Sequence, residues 1–369
     1  NYSNILPDCR GACGSTFSQA LKKGMVINMK ATNNLSLKMN IQNRKERTAL
    51  NKFIKGFLVL FLVIMILFPA ASYEGATTGL LLWFHNVLPN LLPFIILSNL
   101  MIQLNIAGKI SRLFHPLLGR LFKVTKEGCY PIIIGCLSGI PMGAKATADL
   151  VSEGKIEEHE GNFLITMCNN ASPMFIIGYI AISQLKLPRI KYPLFVILYS
   201  SAVISALLCR FILHGHPGKE VKNEANASRT VLKPLPGTSN RFSFEILDNS
   251  IMNGFEVVTK IGGYIILFSI IAQIIHEIGP NISFYKAFLM GIMEITTGIS
   301  QICKAGIDTN TKIVLAAVLT SFGGLSGMAQ TKSVLGSTRL SMSYYVIGKL
   351  TNALVTFILI TLYVTLFPF

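Results

Sequence analysis

The sequence predicts an all-α protein that crosses the membrane several times. Of its 369 residues, 51% are hydrophobic and only 14% are charged, whereas soluble domains carry about 25% charged residues. Several apolar runs reach the roughly 20 residues that a membrane-spanning helix needs. Glycines, prolines and polar residues interrupt four of these runs. A helix that faces lipid does not tolerate such interruptions. The broken runs favour a solute transporter.

The charge of the chain is strongly positive, at +16, with 33 Lys and Arg against 17 Asp and Glu. In a soluble protein this balance would suggest nucleic acid as a partner. In a membrane protein, cytoplasmic loops carry the excess of Lys and Arg that orients the spans. The lipid bilayer is therefore the expected partner, and no nucleic acid is predicted.

The order of composition along the chain predicts four regions. A polar N-terminal extension covers residues 1–52, a first membrane half 53–214, a polar cytoplasmic loop 215–247 and a second membrane half 248–369. Ten Lys or Arg precede the first span, so the N-terminus is expected in the cytoplasm.

The individual segments follow from their apolar spacing. The first two spans are predicted at 57–72 and 79–104. Residues 107–128 alternate basic and apolar side chains at helical spacing, which predicts an amphipathic helix on the inner membrane surface. The remaining apolar runs cover 130–151, 161–184, 193–213, 258–279, 285–303, 312–328 and 343–367.

Two short strings indicate that the membrane halves are internal repeats. Gly135–Gly139 reads GCLSG and Gly323–Gly327 reads GGLSG, and a lysine follows each string, at Lys145 and Lys332. Repeats in a membrane chain point to a transporter fold whose site lies at the repeat interface. Whether the repeats are inverted, and which runs are re-entrant, stays open.

The first broken run, at 132–151, contains three glycines and Pro141. Proline obstructs a continuous helix, so we expect a re-entrant hairpin or broken helix that lines a cavity. A helix that starts near Gly143 would aim its N–H groups at the break and favour an anion there. Lys145 would lie in its first turn. The alternative is that Lys145 pairs with Asp149, one turn later.

The second broken run, at 163–182, holds Asn169, Asn170 and Ser172 before Pro173. Pro173 frees the carbonyl of Asn169. Side-chain amides and a free carbonyl suit a polar ligand or a coupling cation. Hydrogen bonds between helices are an equally good explanation of the same residues.

The third and fourth runs add an acid and a second glycine break. Glu294 lies in an apolar run beside Thr296, and intramembrane acids usually mark ion or proton pathways; a structural pair with a lysine is the alternative. The fourth run, at 321–334, repeats the first. The two lysines that follow the glycine strings are therefore expected in one polar cavity.

The predicted site combines these four segments. Its substrate-binding residues are Ser138, Gly139, Gly143, Lys145, Asn169, Asn170, Ser172, Ser326, Gly327, Gln330 and Lys332. Glu294 and Thr296 are the predicted ion-coupling residues. The sequence has no His-Glu-x-x-His zinc pair and no nucleophile elbow, so neither an enzyme, a metal site nor a cofactor is expected.

The motifs at Gly135–Asp149, Asn169–Pro173, Glu294–Thr296 and Gly323–Gln330 resemble those of the sporulation integral membrane protein YlbJ family. The resemblance covers about residues 53–367. This family belongs to the nucleoside-recognition or Gate domain group, which is related to concentrative nucleoside transporters. A nucleoside-transporter-like fold is therefore implied.

The resemblance also implies a function and a location. It implies transport of dipicolinic acid, a small dianion, across the mother-cell-derived outer forespore membrane, in support of spore core and cortex maturation. A nucleoside or other metabolite carrier and a non-transporting scaffold for spore envelope assembly are the rivals. A homo-oligomer and a coupling ion, proton or sodium, stay open.

Overall fold

The computed structural model describes residues 55–104, 106–213, 242–278, 283–336 and 338–369. The predicted extension 1–52 and most of the predicted loop 215–247 lie outside these residues. The chain divides into two compact units, Asn1–Phe68 and Pro69–Phe369. The first unit contains helix α1 (Lys55–Leu67).

The second unit is built from helices alone in its described residues. Two of its segments are wound as π-helices, Trp83–Val87 and Phe175–Gln184. The α-helices are α2 (Pro69–Leu82), α3 (Leu88–Gln103), α4 (Ile106–Phe122), α5 (Cys129–Ser138), α6 (Met142–Ser152), α7 (Glu158–Met167), α8 (Lys191–Leu213), α9 (Phe244–Ile278), α10 (Ser283–Met293), α11 (Ile295–Lys304), α12 (Thr309–Phe322), α13 (Gly324–Leu335) and α14 (Met342–Leu366).

The prediction of an all-α protein with several membrane spans is confirmed. Within the described residues, four segments are long and apolar enough to cross a membrane: Pro188–Phe211, Phe244–Ile278, Thr309–Leu335 and Met342–Leu366. A fifth is reached if Lys55–Leu67 and Pro69–Val87 together count as one span. Helix α9 begins at Phe244, four residues before the predicted start of the second membrane half.

Each of the four broken runs contains a real interruption of its helix. The interruptions lie at 139–141 between α5 and α6, at 168–172 after α7, at Glu294 between α10 and α11, and at Gly323 between α12 and α13. Gly323 has a φ of +86°, which glycine adopts without a Cβ clash. We refer to these as the first, second, third and fourth breaks.

Two of the breaks are the tips of helical hairpins. Helices α5 and α6 pack against each other, as do α10 and α11. Each of these helices has 10 or 11 residues, which corresponds to about 15 Å. The hydrocarbon core is about 30 Å thick, so neither arm of a hairpin crosses it alone.

The order of elements in the described chain is the same in both halves. A hairpin is followed by a broken helix and then by a long helix: α5–α6, α7 with the π-helix, and α8 first, then α10–α11, α12–α13 and α14. In this order the string at Gly135–Gly139 lies in a hairpin, whereas Gly323–Gly327 lies in a broken helix. The two strings therefore occupy different places, and the internal duplication itself stays a prediction.

Helix α4 has the predicted amphipathic character. Its apolar side is open to the surroundings, with Leu113 exposed by 74% and Leu117 by 66%. Lys109, Arg112 and Arg120 lie on the same helix. This pattern is typical of a helix that rests at the membrane surface.

We expect α4 and the segment 215–247 to face the cytoplasm, because both are rich in Lys and Arg. Single cysteines placed at positions 109 and 222 in a cysteine-free background should react with a membrane-impermeant maleimide only after the cells are opened. Ready labelling of intact cells at either position would contradict this topology. A single cysteine in place of the exposed Tyr73 on α2 is the control, because it tests whether the maleimide also reaches the hydrophobic region of the membrane.

Candidate functional site

The four breaks converge on one cavity. It holds about 590 Å³ of space, part of which is open to the outside. The first break contributes Gly139 and Ile140, the second Ala171 and Ser172, the third Glu294 to Thr296, and the fourth Gly323. Apolar side chains from the π-helix Trp83–Val87, α3 and α9 also line the cavity, at Val87, Leu91, Ile261 and Ile265.

The first break is placed by close packing on the second. Gly139 has a φ of +81°, and the Ile140–Pro141 peptide is cis. A Cβ on Gly139 would lie 3.0 Å from the backbone nitrogen of Ser172. The first and second breaks therefore touch through their backbones.

Two glycines of the α5–α6 hairpin hold the end of α7. An ideal Cβ on Gly135 would lie 1.6 Å from the carbonyl oxygen of Cys168, and one on Gly143 would lie 1.7 Å from the same oxygen. The Cys168 carbonyl is therefore enclosed between the two helices of the hairpin. Only residues without a Cβ allow this approach.

Polar side chains of the second break reach other helices. Asn169 Nδ2 donates to Thr331 Oγ1 on α13 over 2.7 Å, and Asn170 Nδ2 donates back to the Met167 carbonyl over 2.6 Å. The backbone N–H of Phe175 donates to Ser172 Oγ. The second break and α13 are thus linked by a buried hydrogen bond, as the interhelical interpretation of these residues predicts.

Glu294 forms the third break and starts α11. One carboxylate oxygen accepts from Thr296 Oγ1 and the other from the backbone N–H of Thr297, both over 2.7 Å. The side chain is 2% exposed. No ion pair with Lys or Arg involves it within the described chain, so the alternative of a structural lysine pair finds no support here.

The fourth break brings an amide to the cavity. Gln330 lies two turns into α13, and its Nε2 donates to Ser326 Oγ over 3.1 Å. Both residues are buried. Gly327 lies on the same side of the helix and lines the cavity with Gln330.

The cavity collects part of the predicted site. Among the predicted residues, those that line it are Gly139, Ser172, Glu294, Thr296, Gly327 and Gln330. The predicted residues that do not line it are Ser138, Gly143, Lys145, Asn169, Asn170, Ser326 and Lys332. Direct contact of any of them with a substrate stays a prediction.

The expectation that Lys145 and Lys332 share one cavity is not met. Lys145 Nζ lies 2.8 Å from Asp149 Oδ2, which is the pairing left open as the alternative. Lys332 is exposed. Neither lysine lines the cavity.

A different lysine, which the sequence analysis did not select, lies behind the cavity wall. Lys349 of α14 is 1% exposed, and its Nζ donates to Asn170 Oδ1 at the second break over 3.2 Å. Its Cε lies 3.9 Å from the place of a Cβ on Gly323. A single charged residue within the apolar run 342–366 was the available signal, because such residues are rare in membrane spans.

No family model matches the chain, and no solved structure matches it. The chain is 26% identical over 327 residues to the sporulation integral membrane protein YlbJ of Bacillus subtilis (strain 168). The match covers 80% of this chain and 78% of that protein. The chain is therefore similar, over most of its length, to an integral membrane protein of sporulation.

Proposed function

We propose that this protein is a carrier for a small anionic solute, dipicolinic acid, in the outer forespore membrane of a sporulating bacterium. The observation that supports it is the convergence of four helix breaks on one cavity. Backbone groups at a break find no partner in lipid, so they are tolerated where they face protein or a water-filled space. A site formed between discontinuous helices is the usual form of a transporter substrate site.

The preference for an anion is supported by the helix starts at the breaks. Helix α6 starts three residues after Gly139 and α13 starts directly after Gly323, and both glycines line the cavity, whereas the start of α11 is already capped by the Glu294 carboxylate. The N-terminus of a helix carries a partial positive charge and free N–H donors. Lys349 adds a cationic side chain behind Gly323. The resemblance to the sporulation family supplies the identity of the solute.

A nucleoside or related polar metabolite is the second candidate. Glu294 and Gln330 both line the cavity, and a carboxylate and an amide in one cavity suit hydroxyl and amide groups of a neutral ligand. A scaffold for envelope assembly has no use for such a cavity, which makes this third alternative the weakest.

Uptake by the purified protein tests the proposal. Proteoliposomes should accumulate labelled dipicolinate, and unlabelled dipicolinate should compete while uridine and adenosine do not. Gln330→Leu keeps the size of the side chain and removes its amide from the cavity, so we expect uptake to fall at least about tenfold, the effect of losing one good polar contact. Competition by nucleosides alone would favour the second candidate.

Two controls separate the cavity from the rest of the chain. Gln301→Leu makes the same chemical change on α11 at a residue that does not line the cavity, and uptake should stay within about twofold of the wild type. Lys332→Met should cost less than Gln330→Leu because Lys332 is exposed. Absence of uptake of either solute class, with folded protein in the vesicles, would contradict the carrier proposal.

A further inference from the structure

Lys349 lies in a setting that is unusual for a lysine. Its side chain is 1% exposed, and none of the ion pairs in the described part of the chain includes it. A buried charge without a counter-charge is costly, so such residues in membrane segments are generally functional. The tyrosine ring of Tyr345, with its centroid 5.8 Å from Nζ, is the other favourable contact.

The ammonium contacts one end of a chain of neutral polar side chains. Asn170 Oδ1 accepts from Lys349 Nζ over 3.2 Å and from Asn352 Nδ2 over 3.3 Å. Ser201 Oγ lies 2.9 Å from Asn352 Oδ1, and Thr356 Oγ1 donates to Ser201 Oγ over 2.7 Å. This polar chain runs from the second break into the interface of α8 and α14.

A small cavity adjoins the same groups. It is lined by Asn170, Ala171, Thr320, Ser321 and Asn352 together with three larger side chains, and its space of about 220 Å³ is partly open to the outside. Amide, hydroxyl and carbonyl oxygens at a helix break are the ligands that coordinate an alkali cation in a carrier. Here, the ammonium of Lys349 on α14 lies beside the amide oxygen of Asn170 at the second break.

We propose that Lys349 is a built-in cation that takes the place of a bound sodium or potassium ion at the second break. The ammonium supplies a fixed positive charge beside Asn170. The second break therefore needs no metal cation in order to keep its non-helical shape. The consequence for transport, which rests on the proposed function, is that uptake needs no sodium gradient.

The proposal predicts how alkali cations affect thermal stability, which involves no transport. Purified wild-type protein in detergent should unfold at the same temperature, within about 1 °C, in sodium, potassium and choline chloride at equal ionic strength. Lys349→Ala opens the space and leaves the oxygens without a cation. Sodium or potassium should then raise its unfolding temperature by about 3 °C or more relative to choline, because a ligand that binds only the folded state stabilises it.

Two results would overturn the proposal. One is a sodium-dependent rise in the unfolding temperature of the wild type as large as that of Lys349→Ala, since a metal would then bind while the lysine is present. The other is a folded Lys349→Ala protein that responds to no alkali cation.

A second variant decides the matter if Lys349→Ala does not fold. Asn170→Asp places a carboxylate on the ammonium at the distance of the present hydrogen bond. Asn170→Asp also removes the Nδ2 donor to the Met167 carbonyl, so its effect is compared in two backgrounds, with Lys349 present and with Lys349→Met. If Lys349 is charged, the substitution should lower the unfolding temperature by at least about 3 °C less when the lysine is present, since the buried cation gains a partner. An equal effect in both backgrounds would show a neutral amine and overturn the proposal. Asn162→Asp is the matched control, because Asn162 Oδ1 also accepts a hydrogen bond, from Ser341 N, but Asn162 lies within α7.

Discussion

Gly143→Ala is expected to abolish the folded protein. A Cβ at this position would lie 1.7 Å from the Cys168 oxygen, 2.6 Å from its carbonyl carbon and 3.0 Å from Gly135 Cα. The nearest atoms belong to the backbone, so no side-chain rotation relieves the overlap. The α5–α6 hairpin and the end of α7 would have to separate. We expect a destabilisation above about 4 kcal/mol, which is exceptional for a single substitution.

The measurement is the yield of monodisperse protein and its unfolding temperature in detergent. Gly263→Ala is the matched control, because Gly263 lies inside α9 and a Cβ there meets nothing within 4 Å. Alanine in a helix interior is more favourable than glycine by about 0.5–1 kcal/mol, so the control should be as stable as the wild type or slightly more stable. Wild-type stability of Gly143→Ala would show that the hairpin does not enclose the Cys168 carbonyl.

The positions of the breaks could be predicted from the sequence because local chemistry causes them. Pro141 and Pro173 cannot continue a helix, and Gly139 and Gly323 adopt positive φ without strain. The break at Glu294 has no glycine or proline next to it. There, the Glu294 side chain caps α11 and replaces one backbone hydrogen bond of a continuous helix. No short sequence motif predicts such a break.

The charges of the site were less predictable than its backbone. Spacing placed Lys145 in the first turn of α6, but whether it reaches the break or Asp149 depends on the direction of the side chain, and the ion pair prevails. Lys349 is about 180 residues away from its partner Asn170. Only the packing of α14 against α7 brings these two residues together, so no short motif could place Lys349 beside the second break.

Glu294 combines two roles that a suitable substitution can separate. Its oxygen accepts from the Thr297 N–H and so caps α11, which is a structural role. It also lines the cavity as a buried acid without a cationic partner in the described chain. Buried acids of this kind in membrane segments commonly carry protons. Gln at this position keeps a cap oxygen and the shape of the side chain, but it cannot bind or release a proton.

Glu294→Gln should therefore fold and yet lose the pH dependence of transport. With a pH gradient across the vesicle membrane, we expect the initial rate of dipicolinate uptake by the wild type to exceed that of the variant at least about tenfold, the factor that corresponds to about 1.4 kcal/mol. Without a gradient, the variant should still exchange internal for external dipicolinate. Exchange needs substrate binding and no net movement of protons, so it separates coupling from binding.

Asp308→Asn provides the matched control for this change from acid to amide. Asp308 caps α12 as Glu294 caps α11, since its Oδ2 accepts from the backbone N–H of Thr311 over 2.9 Å. That hydrogen bond lowers the pKa of the Asp308 carboxyl, so the group is ionised at neutral pH, and it does not line the cavity. Asp308→Asn should keep the wild-type response to pH. If Glu294→Gln responds to pH as the wild type does, the acid is a helix cap alone, and the proton must move through another group.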